Sequence, residues 1–129
     1  MYLLDTNVCI DFALARSAQL RARIRAQNGR NLGLSAITLA ELRYGASRPS
    51  VDAADEARLD IFVGVLGVHD FDRAAAERYG GLAASTPPRR HSFDLLIAAH
   101  ALSLNATLVT NNERDFAGIP GLAVENWTR

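Results

Sequence analysis

At 129 residues the chain has the length of one ordinary domain, enough to bury a core and too short for two. Hydrophobic residues make up 49% and charged residues 22%, which excludes a disordered chain, and no apolar run approaches the ~20 residues of a membrane span. The formal net charge is zero, which argues against a simple basic nucleic-acid binder.

That neutrality conceals two arms of opposite sign. Between Phe12 and Ala40 stand Arg16, Arg21, Arg23, Arg25 and Arg30 with no acid, whereas between Asp52 and Asp72 six acids face Arg58 alone. Every basic side chain is arginine, which suits phosphate forks but equally follows from the base composition of a source genome. The single cysteine, Cys9, lies in the apolar stretch Val8-Cys9-Ile10 and reads as a packed thiol in a reducing compartment. With no basic n-region or cleavage site at its start, the chain is expected in the cytoplasm.

A strand over 2–5 opens the chain, and Thr6 or Asn7 caps a short helix over 7–15. A second helix over 18–27 sets Leu20 and Ile24 on one face and leaves Arg21, Arg23 and Arg25 to solvent. Asn28-Gly29-Arg30-Asn31 breaks it, a strand over 32–35 follows, and a helix over 38–46 carries Glu41 before Pro49 closes it. The longest helix is expected over 51–66, acidic outside and apolar at Leu59, Ile61, Phe62, Val65 and Leu66. A third strand over 68–71 and a helix over 72–84 lead into Ser85 to His91, where Pro87 and Pro88 forbid regular structure. A helix from 92 or 93 to 103, a strand over 106–110 and a strand over 122–124 complete the chain. Strands alternate with helices, so the predicted class is α/β, three-layered: about five parallel strands covered by helices on both faces, in a single domain over 1–129.

Four acids recur in similar surroundings: Asp5 after Tyr2-Leu3-Leu4, Glu41 in Thr38-Leu39-Ala40-Glu41-Leu42, Asp94 before Leu95-Leu96-Ile97-Ala98-Ala99, and Asp115 after Thr110-Asn111-Asn112. Singly, each has an ordinary explanation as a helix cap, a solvated helix position, a residue favoured by a helix dipole or a turn former. Jointly they stand at the edges of apolar segments, and open α/β sheets bind ligands beyond the carboxyl ends of their strands. Carboxylates gathered in low dielectric repel one another, and with no lysine and few arginines near in sequence the natural counter-charge is a divalent cation. All-oxygen ligands suit Mg²⁺ or Mn²⁺, and the lack of a cysteine cluster or paired-histidine spacing argues against zinc. The reaction class that follows is metal-assisted phosphodiester hydrolysis.

Two readings compete. One is a non-catalytic module that docks RNA or protein at the sheet edge. The other is an aspartyl-phosphate phosphatase, against which the position two beyond Asp5 is Asn7 rather than an acid. Arg89 and Arg90, on the stiff loop before Asp94, are RNA-binding candidates able to fork a phosphate, with a solvated loop as the plain alternative. His100, nearly two turns beyond Asp94, reads as a packing or interface residue, and His69 and His91 have no evident partner. Tyr44 and Trp127 read as core or dimer-contact aromatics rather than base-stacking platforms.

The blocks Leu4-Asp5-Thr6-Asn7, Leu39-Ala40-Glu41-Leu42-Arg43-Tyr44-Gly45, Asp94-Leu95-Leu96-Ile97-Ala98-Ala99, Leu108-Val109-Thr110-Asn111-Asn112 with Asp115-Phe116, and Glu125-Asn126-Trp127 follow one another in a familiar order and spacing. Over essentially its full length the chain resembles the PIN-domain family, and within it the VapC-type toxins of bacterial VapBC toxin-antitoxin systems. The resemblance implies a PIN-like sheet and an endoribonuclease dependent on Mg²⁺ or Mn²⁺, with Asp5, Glu41, Asp94 and Asp115 as catalytic, metal-holding residues. By the same resemblance Thr6, Thr110 and Asn112 support the cluster, and either Asp115 or Asn112 completes its fourth position. The implied partners are an RNA substrate, a cognate VapB-type antitoxin, a second copy in a homodimer, and promoter DNA reached only through the antitoxin. The stretch from Pro87 to Phe93 departs from the glycine-containing segment of many relatives.

Overall fold

The computed structural model describes residues 1–46, 51–85 and 92–129. Five short strands, β1 (Tyr2–Leu4), β2 (Leu32–Ser35), β3 (Gly67–His69), β4 (Thr107–Val109) and β5 (Val124–Glu125), form one sheet in the order β3-β2-β1-β4-β5. Every pairing is parallel, as the alternation of elements predicts. Leu3 lies opposite Gly33 on one side and Leu108 on the other, which makes β1 the central strand.

The two-residue period of the strands divides the core between the faces. Leu4, Leu32, Leu34 and Val109 point to a face covered by α1 (Thr6–Ala13), α2 (Ala18–Arg25) and α4 (Ala53–Val65), through Val8, Leu20, Ile24, Phe62 and Val63. Leu3 and Leu108 point to the other face, under α5 (Arg73–Ala84) and α6 (Phe93–Ser103), through Leu82, Leu95, Ile97 and Ala101. The helix α3 (Ala36–Ala46) follows β2 and reaches both layers, Leu42 on the first and Ile37 on the second. A short helix, α7 (Glu113–Phe116), which the sequence pattern did not signal, places Phe116 in the second layer. Gly33 permits a close approach on that side: a Cβ there would meet the His69 ring at 2.7 Å.

Several expectations shift for identifiable reasons. The cap of α1 is Asp5, whose side chain accepts from the Thr6 N–H, so the helix begins one residue earlier than its expected start at Asn7. The Ser35 hydroxyl accepts from the Ile37 N–H, which lets α3 start at Ala36 rather than Thr38. On α4, Phe62 and Leu66 are buried as expected, but Ile61 and Val65 face solvent, because no described element covers that side of the helix. The third strand ends at His69 instead of Phe71, and Phe71 stacks edge-on against His100. The last strand runs through Glu125, past the expected 122–124. Cys9 is a packed thiol, its pKa raised by burial and then by the nearby Asp5 charge. Among the described residues no helix is long and apolar enough to cross a membrane.

Trp127 is in the core as expected, 1% exposed, whereas Tyr44 is 67% exposed and belongs to no core. The indole meets the Tyr2 ring edge-on at 4.9 Å, and its Nε1–H donates to Glu125 at 3.0 Å. Arg23 lies 5.0 Å over the indole and pairs with Glu125 at 3.4 Å, so this side chain of the basic arm is a packing element, not a free solvated charge. The C-terminal segment is thereby fastened across the central strand. Trp127→Ala is expected to destabilise the fold by about 3–5 kcal/mol, and Trp127→Phe by less, as read from urea denaturation midpoints.

Candidate active site

The strand order locates the site. From β1 the chain proceeds outward through β2 to β3, then crosses back to place β4 and β5 on the other side of β1. The connections therefore diverge between β1 and β4, and a crevice opens there beyond the carboxyl ends of the two strands. Asp5 follows β1 and Thr110 follows β4, and both are buried, Asp5 at 4% exposure. The Asp5 N–H donates to the Val109 carbonyl at 2.9 Å and continues the ladder one step beyond the strand.

A chain of hydrogen bonds spreads from this point. Asp5 Oδ1 accepts from the Thr6 N–H at 2.7 Å, and Oδ2 accepts from the Thr110 hydroxyl at 2.8 Å. The Thr6 hydroxyl donates to Glu41 Oε1 at 2.7 Å and joins the start of α1 to the middle of α3. On the other side Thr110 Oγ1 accepts from the Asn112 N–H at 3.0 Å, and Asn112 Nδ2 donates to Asp115 Oδ2 at 2.7 Å. Thr6, Thr110 and Asn112 thus each touch one of the candidate acids or the group that holds it. Asp94 enters from the first turn of α6 through electrostatics, its charge coupled to Asp5 and Asp115.

The carboxyl groups feel one another. Burial raises the Asp5 pKa, the bonds from Thr110 and Thr6 pull it back, and the charges of Glu41 and Asp115 push it further up. Burial, followed by repulsion from Asp5 and Asp115, pushes Asp94 from 3.8 to about 6. The other three sequence-selected acids therefore lie within electrostatic reach of Asp5, although the four come from four separate segments. No group of three or more His, Cys, Asp or Glu among the described residues is drawn close enough, as arranged, to hold an ion. The donor chemistry is nonetheless that of a hard cation: carboxylate and hydroxyl oxygens, with two carboxyl groups shifted toward their neutral form by burial and then by repulsion from neighbouring acids.

Other sequence candidates fall elsewhere. Arg89, Arg90 and His91 lie outside the described residues, with Pro49, Pro87 and Pro88. His100 is buried and paired with Ser35 Oγ at 2.7 Å, a packing residue as expected. His69, which had no evident partner, packs its ring against Gly33 and repels a charge on His100. Two participants, Asn111 and Phe93, were not singled out by sequence reasoning, and a third, Tyr44, was read there as a core or dimer-contact aromatic. Asn111 donates to Asp11 at 2.6 Å across the mouth of the crevice. Tyr44 and Phe93 line a cleft of about 650 Å³ with Thr6, Asn7 and Glu41. The available signal was their spacing, Tyr44 one turn after Glu41 and Phe93 directly before Asp94.

The sequence profile of the PIN domain matches residues 2–122. The chain is similar to "Ribonuclease VapC2" of Rickettsia felis, 38% identical over 135 residues that cover 100% of this chain and 99% of the relative. It is 35% identical over 130 residues to "tRNA(fMet)-specific endonuclease VapC" of Shigella flexneri, covering 98% of each. Among solved structures, VapBC2 of Rickettsia felis bound to a DNA fragment from their promoter superposes with a TM-score of 0.86 at 36% identity, covering 98% of each chain. DNA-bound VapBC of Salmonella typhimurium gives 0.80 at 35% identity, covering 98% of this chain and 97% of the other. With a matching profile over most of its length, relatives of the same size and acids gathered where the sheet's connections diverge, the chain belongs to the PIN-domain family, in its VapC branch.

Proposed function

We propose that this chain is an endoribonuclease toxin of a type II toxin-antitoxin system, which hydrolyses RNA phosphodiester bonds with Mg²⁺ or Mn²⁺ held by Asp5, Glu41, Asp94 and Asp115. The observation that carries this reading is the hydrogen-bonded chain from Glu41 through Thr6, Asp5, Thr110 and Asn112 to Asp115, with Asp94 coupled to it by charge. When bound, such an ion supplies positive charge to the phosphate and lowers the pKa of a water. The protein's own part is orientation. Thr110 and the Thr6 N–H each bind one oxygen of Asp5, the Thr6 hydroxyl donates to Glu41, and the Asn112 amide donates to Asp115.

A non-catalytic RNA-docking module is the weaker reading, since a platform for a polyanion gains nothing from concentrated negative charge. The implied partners are RNA, a cognate VapB-type antitoxin, a second copy of the chain, and promoter DNA bound through the antitoxin. The solved relatives that were crystallised as VapBC complexes on DNA support the antitoxin and the DNA in that set.

Purified protein should cleave RNA with Mg²⁺ or Mn²⁺ and be inert in EDTA, and Asp5→Asn or Asp94→Asn should reduce cleavage to background with the circular dichroism spectrum retained. Wild-type cleavage by Asp94→Asn would remove that residue from the mechanism. Thr110→Val, which strips the hydroxyl from Asp5, should lower the cleavage rate about 10- to 100-fold.

The ion-free protein should also show an inverted pH dependence. The folded Asp94 carboxyl titrates near 6, above its ordinary 3.8, so the folded state binds more protons in between. Stability then falls as pH rises from about 4 to about 7, and the raised Asp5 adds in the same direction. Melting temperatures in EDTA should decline over that window, and Mg²⁺ or Mn²⁺ should restore them more at the upper end than at the lower. A flat profile with no response to either ion would count against an ion-holding site.

A further inference from the structure

Nine aromatic side chains occur in the sequence, and only Tyr44 and Phe93 are exposed, at 67% and 55%. The other seven are buried or half-buried. The two exposed rings line the same cleft, the one that also takes in Thr6 and Glu41. Each is tied by the backbone to one of the candidate acids: Tyr44 follows Glu41 by one turn of α3, and Phe93 directly precedes Asp94 at the start of α6.

An exposed phenyl ring beside a carboxylate cluster contributes nothing to the core and is unfavourable in water. Among the described residues that line the cleft, Glu41 is the charged one. The part of a nucleotide that such a surface can hold is the π-face of its base, because stacking on tyrosine or phenylalanine depends on no opposite charge and tolerates every base. The volume, about 650 Å³, is in the range of sites that enclose small ligands.

Resting on the nuclease reading above, we propose that Tyr44 and Phe93 are the stacking walls that hold an unpaired nucleobase beside the acids. A base within an A-form duplex has its π-faces occupied by its own neighbours and cannot enter, whereas a base in a loop or a frayed end can be splayed onto a ring. The aromatic pair then positions an unstacked base next to the bond that is cut. The exposure of Tyr44 removes the core half of the sequence expectation, and the stacking role stands against its dimer-contact half.

The test is fluorescence anisotropy with the Asp94→Asn protein, which keeps RNA intact, in Mg²⁺. The probes are a mixed-sequence oligoribonucleotide without secondary structure, the same strand in a duplex, and the same strand with abasic sites. The single strand should bind at least about 10-fold more tightly than the duplex, and Tyr44→Ala and Phe93→Ala should each weaken it about 5- to 100-fold, the range for loss of one stacked base. Tyr44→Phe and Phe93→Tyr should bind as the parent does, and the effect of each alanine substitution should vanish on the abasic strand. Alanine variants that bind the single strand as the parent does, or that lose equally on the abasic strand, would overturn the proposal. So would a shift of the alanine variants to a smaller species in sedimentation velocity, which would assign the rings to an interface between copies. Cleavage of total RNA by the unsubstituted protein is scored separately: ring-dependent binding without any cleavage would sink the nuclease reading and leave the stacking walls standing.

Discussion

The carboxylate of Asp5 is asked to do two things at once. One oxygen accepts from the Thr6 N–H and starts α1, and the other accepts from the Thr110 hydroxyl at the end of the neighbouring strand. Because β1 is the central strand and the chain's connections diverge on either side of it, this residue is the fixed point to which the remaining acids are referred. Glu41 is held to it through Thr6, and Asp115 through Thr110 and Asn112. A helix cap alone would need none of this, and a freely solvated carboxylate would have no reason to be buried.

The second layer of the fold sets where Asp94 stands. His100, six residues further along α6, is buried, and its Nδ1 lies 2.7 Å from Ser35 Oγ at the end of β2. The same serine oxygen accepts from the Ile37 N–H at the start of α3, the helix that carries Glu41. Burial, with repulsion from His69, lowers the His100 pKa and keeps the imidazole neutral, the form in which Nδ1 can accept the serine proton. One hydroxyl thus relates the helix of one candidate ligand to the helix of another, and the close approach of His69 to Gly33 fills the space beside it.

Concentrating like charges in a half-buried crevice works against folding, and the raised Asp5 and Asp94 record that opposition. Departures from local good sense of this kind gather where a protein acts rather than where it merely holds together. The exposed Tyr44 and Phe93 are a second such departure at the same place, apolar surface left in water at the mouth of an acidic cleft. The two anomalies complement each other for an RNA substrate: the acids serve the ion and the phosphate, and the rings serve the base.

The helices and strands were legible because their signals are local. Apolar period and the breaks at Asn28 and Pro87 depend on neighbours a few residues away, so the α/β alternation and its parallel sheet could be read from order alone, while the caps Ser17, Asp52 and Asp72 came to light only in the structure. The four acids were legible as a set for a related reason, since each stands where an apolar run meets polar residues. What the residue order left open was which of the ordinary roles each acid also fills. Asp5 proved to be cap and candidate ligand together, because only the crossing back from β3 to β4 brings Thr110 to its second oxygen. In the same way the exposure of Tyr44, Ile61 and Val65 could not be read from their hydrophobicity, since whether an apolar side chain is covered depends on distant segments that pack, or do not pack, over its helix.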